Sequence, residues 1–297
     1  MSVAIDEIRA RRHPRAIFLA WMFVALSGLA LAWPAAAGVG REFRGSFDGD
    51  APLFQSGSLD LLDYLWRARG VITADVGHVV VLFPLVLIGA VVPLALLLAA
   101  IGGVSGDRFA PRAGRIFGVL VALDLGVLVI QVLTFWGFFT LAAVTASGLT
   151  STFGAKGAEL CGAAVLALGA LLIIAISMLR DVAAATTVAL ATGAAQSIFT
   201  SLRVVDREGA ALLWAWTWRS CAGWLPVVLA TLLATKIGGK SGLLLLILMI
   251  SHQAALALKM ACRASWLAAS LRAVARASAP KPDALYAADA EAARSDR

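Results

Sequence analysis

Six apolar runs, each near or above the roughly 20 residues that carry a helix across the hydrocarbon core of a bilayer, occupy most of this chain. They fall at about 16–37, 78–104, 116–146, 157–179, 211–237 and 242–262. Strands cross a bilayer in about ten residues of alternating polarity, and that alternation is missing here, so the runs are read as helices. The expected fold is all-α: a polytopic transmembrane helical bundle of about six spans with amphipathic interfacial helices. Composition agrees, because 61% of the 297 residues are hydrophobic and only 14% charged, where a soluble domain carries about 25% charged residues.

A net charge of +7 would point to nucleic acid if the basic residues formed one patch. They are instead divided among short segments between the runs, which excludes nucleic acid and implies a lipid bilayer with anionic headgroups as the partner. Arg41, Arg44, Arg67, Arg69, Lys156, Lys236 and Lys240 fall on one side of the six-span scheme, and Arg219 lies inside the fifth run. Every other Lys and Arg falls on the opposite side, with the termini. By the positive-inside rule both termini are cytoplasmic, in a bacterial cytoplasmic (inner) membrane.

On this scheme residues 1–15 are a basic cytoplasmic segment and 16–262 the membrane domain. Residues 38–77 form an external loop containing an amphipathic helix at 58–69, with Ser58 as N-cap and Gly70 as C-cap. The stretch 182–205 is a cytoplasmic interfacial helix, lying on the membrane or continuing the fourth span, with Val188, Ala191, Ala195, Ile198 and Leu202 on its apolar face. A seventh span there would put the basic tail outside. Residues 263–297 comprise a juxtamembrane helix, with Trp266, Leu267, Leu271 and Val274 among basic residues that suit an anionic leaflet, and then a disordered tail. The first run also fits a cleaved signal peptide ending in an A-x-A at Ala35 to Ala37, but its length favours retention.

No catalytic, cofactor or metal constellation stands out. The run at 234–241 resembles a phosphate-binding loop, yet Ala234 stands where glycine is needed and the run joins two spans instead of a strand to a helix. His13, His78 and His252 are dispersed, and Cys161, Cys221 and Cys262 form no C-x-x-C pair, which makes them small buried core residues.

Polar residues within the runs are the candidates for function, because each is costly in lipid unless it faces the bundle interior. They are Asp124, Gln131, Arg219, His252, Gln253 and Lys259. Asp124 and Gln131 are seven apart, as are His252 and Lys259, so each pair shares a helix face. Antiparallel packing of spans three and six would set Asp124 against Lys259 and Gln131 against His252, with Arg219 a rival partner for Asp124. Interhelical hydrogen bonding of this kind is worth about 1 kcal/mol per bond. Pro84 and Pro93 in the second run and Pro226 in the fifth break the middle helix of each half, a pattern that marks transporter sites between inverted repeats.

From the acidic residue in LRDVAAATTVAL to the end of SHQAALALKMACRASWLAASL, the spacing of Asp181, Gln253, Lys259 and Arg263 resembles a loose group of uncharacterised six-span bacterial inner-membrane proteins. The resemblance covers the C-terminal half and implies a fold and a compartment, with no activity or site. Two functional readings follow: a non-enzymatic membrane component or assembly partner bound to another membrane protein, and a small-solute permease or transporter subunit. A cavity reaching His252, Gln131 or Asp124 favours transport, and a filled bundle favours the structural role.

Overall fold

The computed structural model describes residues 8–42, 69–104, 112–237 and 242–278, and all regular structure in them is helical. A single 3-10 turn at Ala10–Arg12 precedes α1 (Pro14–Glu42), and α2 (Arg69–Ile101), α3 (Ala113–Leu190), α4 (Ala194–Ile237) and α5 (Gly242–Ser278) follow. Of these, 4 are long and apolar enough to cross a membrane: the stretches Pro14–Pro34, Gly77–Ile101, Ala113–Leu190 and Leu243–Ser278.

Each helix ends or turns for a local reason. Helix α2 stops where Gly103 takes φ 63, with Gly103 N–H donating to Ala100 and Val104 N–H to Ala99. This is the left-handed cap that glycine adopts without a Cβ clash. Helix α3 is two arms joined at Gly154, whose φ 69 and ψ 172 lie in a region open essentially to glycine alone. Its arms run antiparallel. Gln131 Nε2 donates to Ser177 Oγ at 2.8 Å, a Cβ on Gly169 would lie 2.6 Å from Phe138, and one on Gly162 would lie 3.2 Å from the Ala142 carbonyl oxygen. Small residues thus let the two backbones close up, as helix pairs do where lipid supplies no hydrophobic drive.

Chain order and these contacts define two ends. Residues near Glu42, Arg69, Gly154, Ile237 and Gly242 mark one, and those near Ile8, Ile101, Ala113, Ala191 and Ser278 the other. The second end holds the core: Leu97, Leu98, Ile101, Leu120, Val182, Val204, Leu267, Leu271 and Val274 are almost fully buried there. Towards the first end large apolar side chains point outward, among them Trp136, Leu160, Leu171, Leu225 and Leu243.

The stretch 182–205 continues the helix of the fourth run, one of its two expected readings, but only as far as Leu190. It is a hairpin of two arms, since α3 runs on to Leu190, Ala191 turns with φ 51 and ψ 40, and α4 then packs back. Thr187 Oγ1 donates to Ser197 Oγ at 2.8 Å, Thr192 and Ser197 hydroxyls meet at 2.7 Å, and Ser197 and Ser201 are fully buried while Ile198 and Leu202 are exposed. The small hydroxyl face packs inward because it permits close approach and bonds to its neighbour. Ile198 and Leu202 are left outside, while Val188 and Val204 are buried.

The expected juxtamembrane helix is likewise the unbroken continuation of α5, and Trp266, Leu267, Leu271 and Val274 face protein instead of a leaflet. An apolar stripe reads the same whether lipid or a neighbouring helix covers it; here Ala183, Ala184 and Ala185 give it a flat surface to pack on. Arg69 and Gly70, expected to end an external helix, instead start α2. A lone glycine costs a helix only about 1 kcal/mol, less than the following apolar run supplies. Helices α2 and α4 also pass through Pro84, Pro93 and Pro226, and α4 bends at Glu208 instead. Proline therefore marks no interruption here, as membrane helices can re-satisfy the freed carbonyl. None of the cysteines is the buried core residue expected: Cys161 and Cys262 are half-buried and Cys221 exposed. The expected external helix up to residue 68, residues 238–241 of the turn at 234–241 and the tail beyond Ser278 lie outside the described residues.

Candidate functional site

The charged residues of the bundle collect where α3, α4 and α5 meet. Arg180, at the end of the fourth apolar run, turns back toward the other arm of α3 and holds Asp124 in a two-pronged grip. Its Nε donates to Oδ1 at 2.7 Å and its Nη2 to Oδ2 at 2.5 Å. The third nitrogen, Nη1, donates to Asp181 Oδ1 at 2.8 Å. Asp181 also accepts from Arg263 Nη2 at 3.2 Å and from Trp266 Nε1 at 2.9 Å. Both carboxylates are buried, at 7% and 4% exposure, and all four of their oxygens are engaged. A parallel fork of this kind is the strongest geometry a guanidinium offers a carboxylate, and it answers the cost of placing charge in a dry site.

Asp124 therefore pairs with the second arm of α3, and the expected partners Lys259 and Arg219 are not bound to it. The reason lies in the hairpin, which brings the arms of α3 side by side and presents Arg180 first. Gln131 bonds Ser177 for the same reason, and His252 instead lies 3.1 Å from the Leu248 carbonyl of its own helix. Gln253 carries a buried Oε1 with no hydrogen-bond partner.

The hydrogen-bond and ring contacts of Lys259 and Arg219 are to neutral groups. The Lys259 ammonium sits 3.3 Å from the centroid of the Trp224 ring, a cation–π contact. Arg219 donates from Nε to Ser265 Oγ and from Nη1 to the Ala215 carbonyl, both at 2.9 Å, and lies over Trp218. Gly223 brings α4 close enough for this, since a Cβ there would lie 3.3 Å from the Lys259 Cα.

Between these groups lies a cavity of ≈ 340 Å³, walled by Asp124, Gln131, Ser177, Arg180, Asp181, Arg219, Lys259 and Arg263. Leu87, Val127, Leu128, Trp216 and Trp224 complete an apolar side. Four of the residues singled out in the sequence, Asp124, Gln131, Arg219 and Lys259, thus line one space, and His252 and Gln253 do not. Arg180, Asp181, Arg263 and Trp266 were not among the candidates, Asp181 and Arg263 having entered only through the spacing of the resemblance. Arg180 lay one position past the expected end of its span and was counted with the cytoplasmic charges. Outside the cavity, Arg276 donates to both oxygens of Glu208 at 2.9 and 2.5 Å and holds that carboxyl below the usual range.

Among the described residues no three His, Cys, Asp or Glu side chains come together as a metal site. The chain matches no protein-family model, no curated protein and no solved structure.

Proposed function

We propose that this chain is a six-crossing integral membrane protein that binds a small solute in the cavity at its charged end, as a permease or transporter subunit. The observation that carries this reading is the cavity itself. Its volume falls within the roughly 300–1,000 Å³ of small-molecule sites, and it combines an apolar wall with a few convergent polar groups. It also reaches Asp124 and Gln131, the residues whose access to a cavity separates transport from a structural role. Counting the two arms of α3 separately and including α4 gives six crossings. The excess of basic residues beside the termini supports a cytoplasmic location for the packed end, in a bacterial inner membrane.

The second reading, an assembly component that holds another membrane protein, is favoured by one feature: the carboxylates satisfy one another's partners completely, as interhelical glue would. Cysteine accessibility separates the two. With Cys161, Cys221 and Cys262 replaced by alanine, Ser220→Cys on the cavity wall is expected to react with a membrane-impermeant anionic thiosulfonate in nanodiscs, and Leu246→Cys in lipid is not. Equal inertness of both positions would remove the solute-binding reading and leave the assembly role.

A further inference from the structure

We infer that the cavity takes an anion, an oxyanion group of the phosphate or carboxylate kind carried on an apolar body; this rests on the solute-binding reading above. The charges decide the sign. Four cations and two carboxylates face the cavity, and the carboxylates are fully committed: Arg180 takes both oxygens of Asp124, and Arg180, Arg263 and Trp266 take those of Asp181. A cationic solute would find no free acceptor of charge.

Lys259 and Arg219, by contrast, pair with no carboxylate among the described residues. The Lys259 ammonium has three donors and rests against an aromatic face, and Arg219 Nη2 donates to no group among the described residues. Two half-buried cations in a low-dielectric setting are costly while unmatched, and an arriving oxyanion removes that cost with charge-assisted hydrogen bonds. Trp216, Trp224, Leu87, Val127 and Leu128 line the same space, so the group that fits is amphipathic and not a hydrated inorganic ion. A lipid headgroup and a soluble organic phosphate share this chemistry.

The test uses the full chain in dodecyl maltoside, a neutral detergent, with binding read as tryptophan quenching and as a shift in melting temperature. The probes are octyl phosphate, octyltrimethylammonium, glycerol phosphate and inorganic phosphate. Octyl phosphate is expected to raise the melting temperature and octyltrimethylammonium to leave it unchanged. Lys259→Gln and Arg219→Gln should each weaken octyl phosphate binding about tenfold or more, with Lys259→Arg retaining it. Glycerol phosphate binding as well as octyl phosphate would name a soluble source; octyl phosphate alone would name a lipid-like one. Preference for the quaternary amine, indifference to both cation-removing substitutions, or binding of no probe would each overturn the anion assignment. In those cases a reactive Ser220→Cys still leaves the cavity a solute site, and an inert one removes both readings. The contest between octyl phosphate and octyltrimethylammonium is run on the unaltered protein, so a variant that fails to fold does not blunt it.

Discussion

The two ends of the bundle are built from much the same residues and live by different rules. Leu271 is fully enclosed by protein at the packed end, and Leu246, on the same helix, is about half exposed towards the other. In a bilayer the second leucine loses nothing by facing lipid, because lipid tails are as apolar as it is. What distinguishes the packed end is the company of small and polar groups: Ala183 to Ala185, Thr186, Thr187, Ser197 and Ser201, and beside them the Asp124–Arg180–Asp181–Arg263 network. Apolar character places these helices in the membrane. Close packing and polar pairing decide which parts of them touch.

The largest expected effect falls on the network. Asp181→Ala leaves Arg180 and Arg263 each short of a partner and strands the Trp266 indole N–H, and should cost about 3–5 kcal/mol, read as thermal stability in detergent. A loss below 1 kcal/mol would mean that the network does not hold the packed end.

A matched pair of truncations comes next and tests the comparison directly. Leu271→Ala opens a void in the enclosed core and should cost about 2–5 kcal/mol. Leu246→Ala, on the outer surface, should stay within about 0.5 kcal/mol. Equal losses at the two positions would erase the distinction between the ends.

The smallest effect lies at the rim of the packed end. Arg276 holds the Glu208 carboxyl below its ordinary range, so this pair contributes fully above the ordinary glutamate range. The contribution is lost as pH falls through the depressed folded value. Because the pair is partly solvated, Glu208→Gln should cost below about 1 kcal/mol at neutral pH. It should also flatten the acid limb of the stability profile, and an unchanged limb would assign that limb to other groups.

How far the sequence carries is clear from individual residues. Long apolar runs are legible as helices, four of them long and apolar enough to cross a membrane, and the corner at Gly154 falls in the gap between the third and fourth runs. Partner choice is harder. Gln131 and Ser177 lie at equal distances from Gly154 along the chain, so folding the sequence back at that glycine pairs them. The same operation carries Asp124 to within about one helical turn of Arg180. Only the choice of Gly154 as the pivot was missing, and several nearby glycines competed for it. Seven-residue spacing showed correctly that Asp124 and Gln131 share a face, but a face has several possible neighbours, and the arm joined by a tight corner reaches it first. The hairpin at 191–193 was hidden for a different reason. Its turn residue is alanine, which carries no warning of a left-handed backbone.

One contact remains whose meaning is a matter of timing. Arg272 Nη1 donates to the carbonyl oxygen of Ile8 at 3.2 Å, so the first described residue is fastened by the last described helix. During synthesis α1 to α4 are made before residues 263–274, so the carboxylate of Asp181 waits for Arg263 and Trp266. The network at the packed end is therefore completed only by the late-made helix α5, which supplies both Arg263 and Trp266.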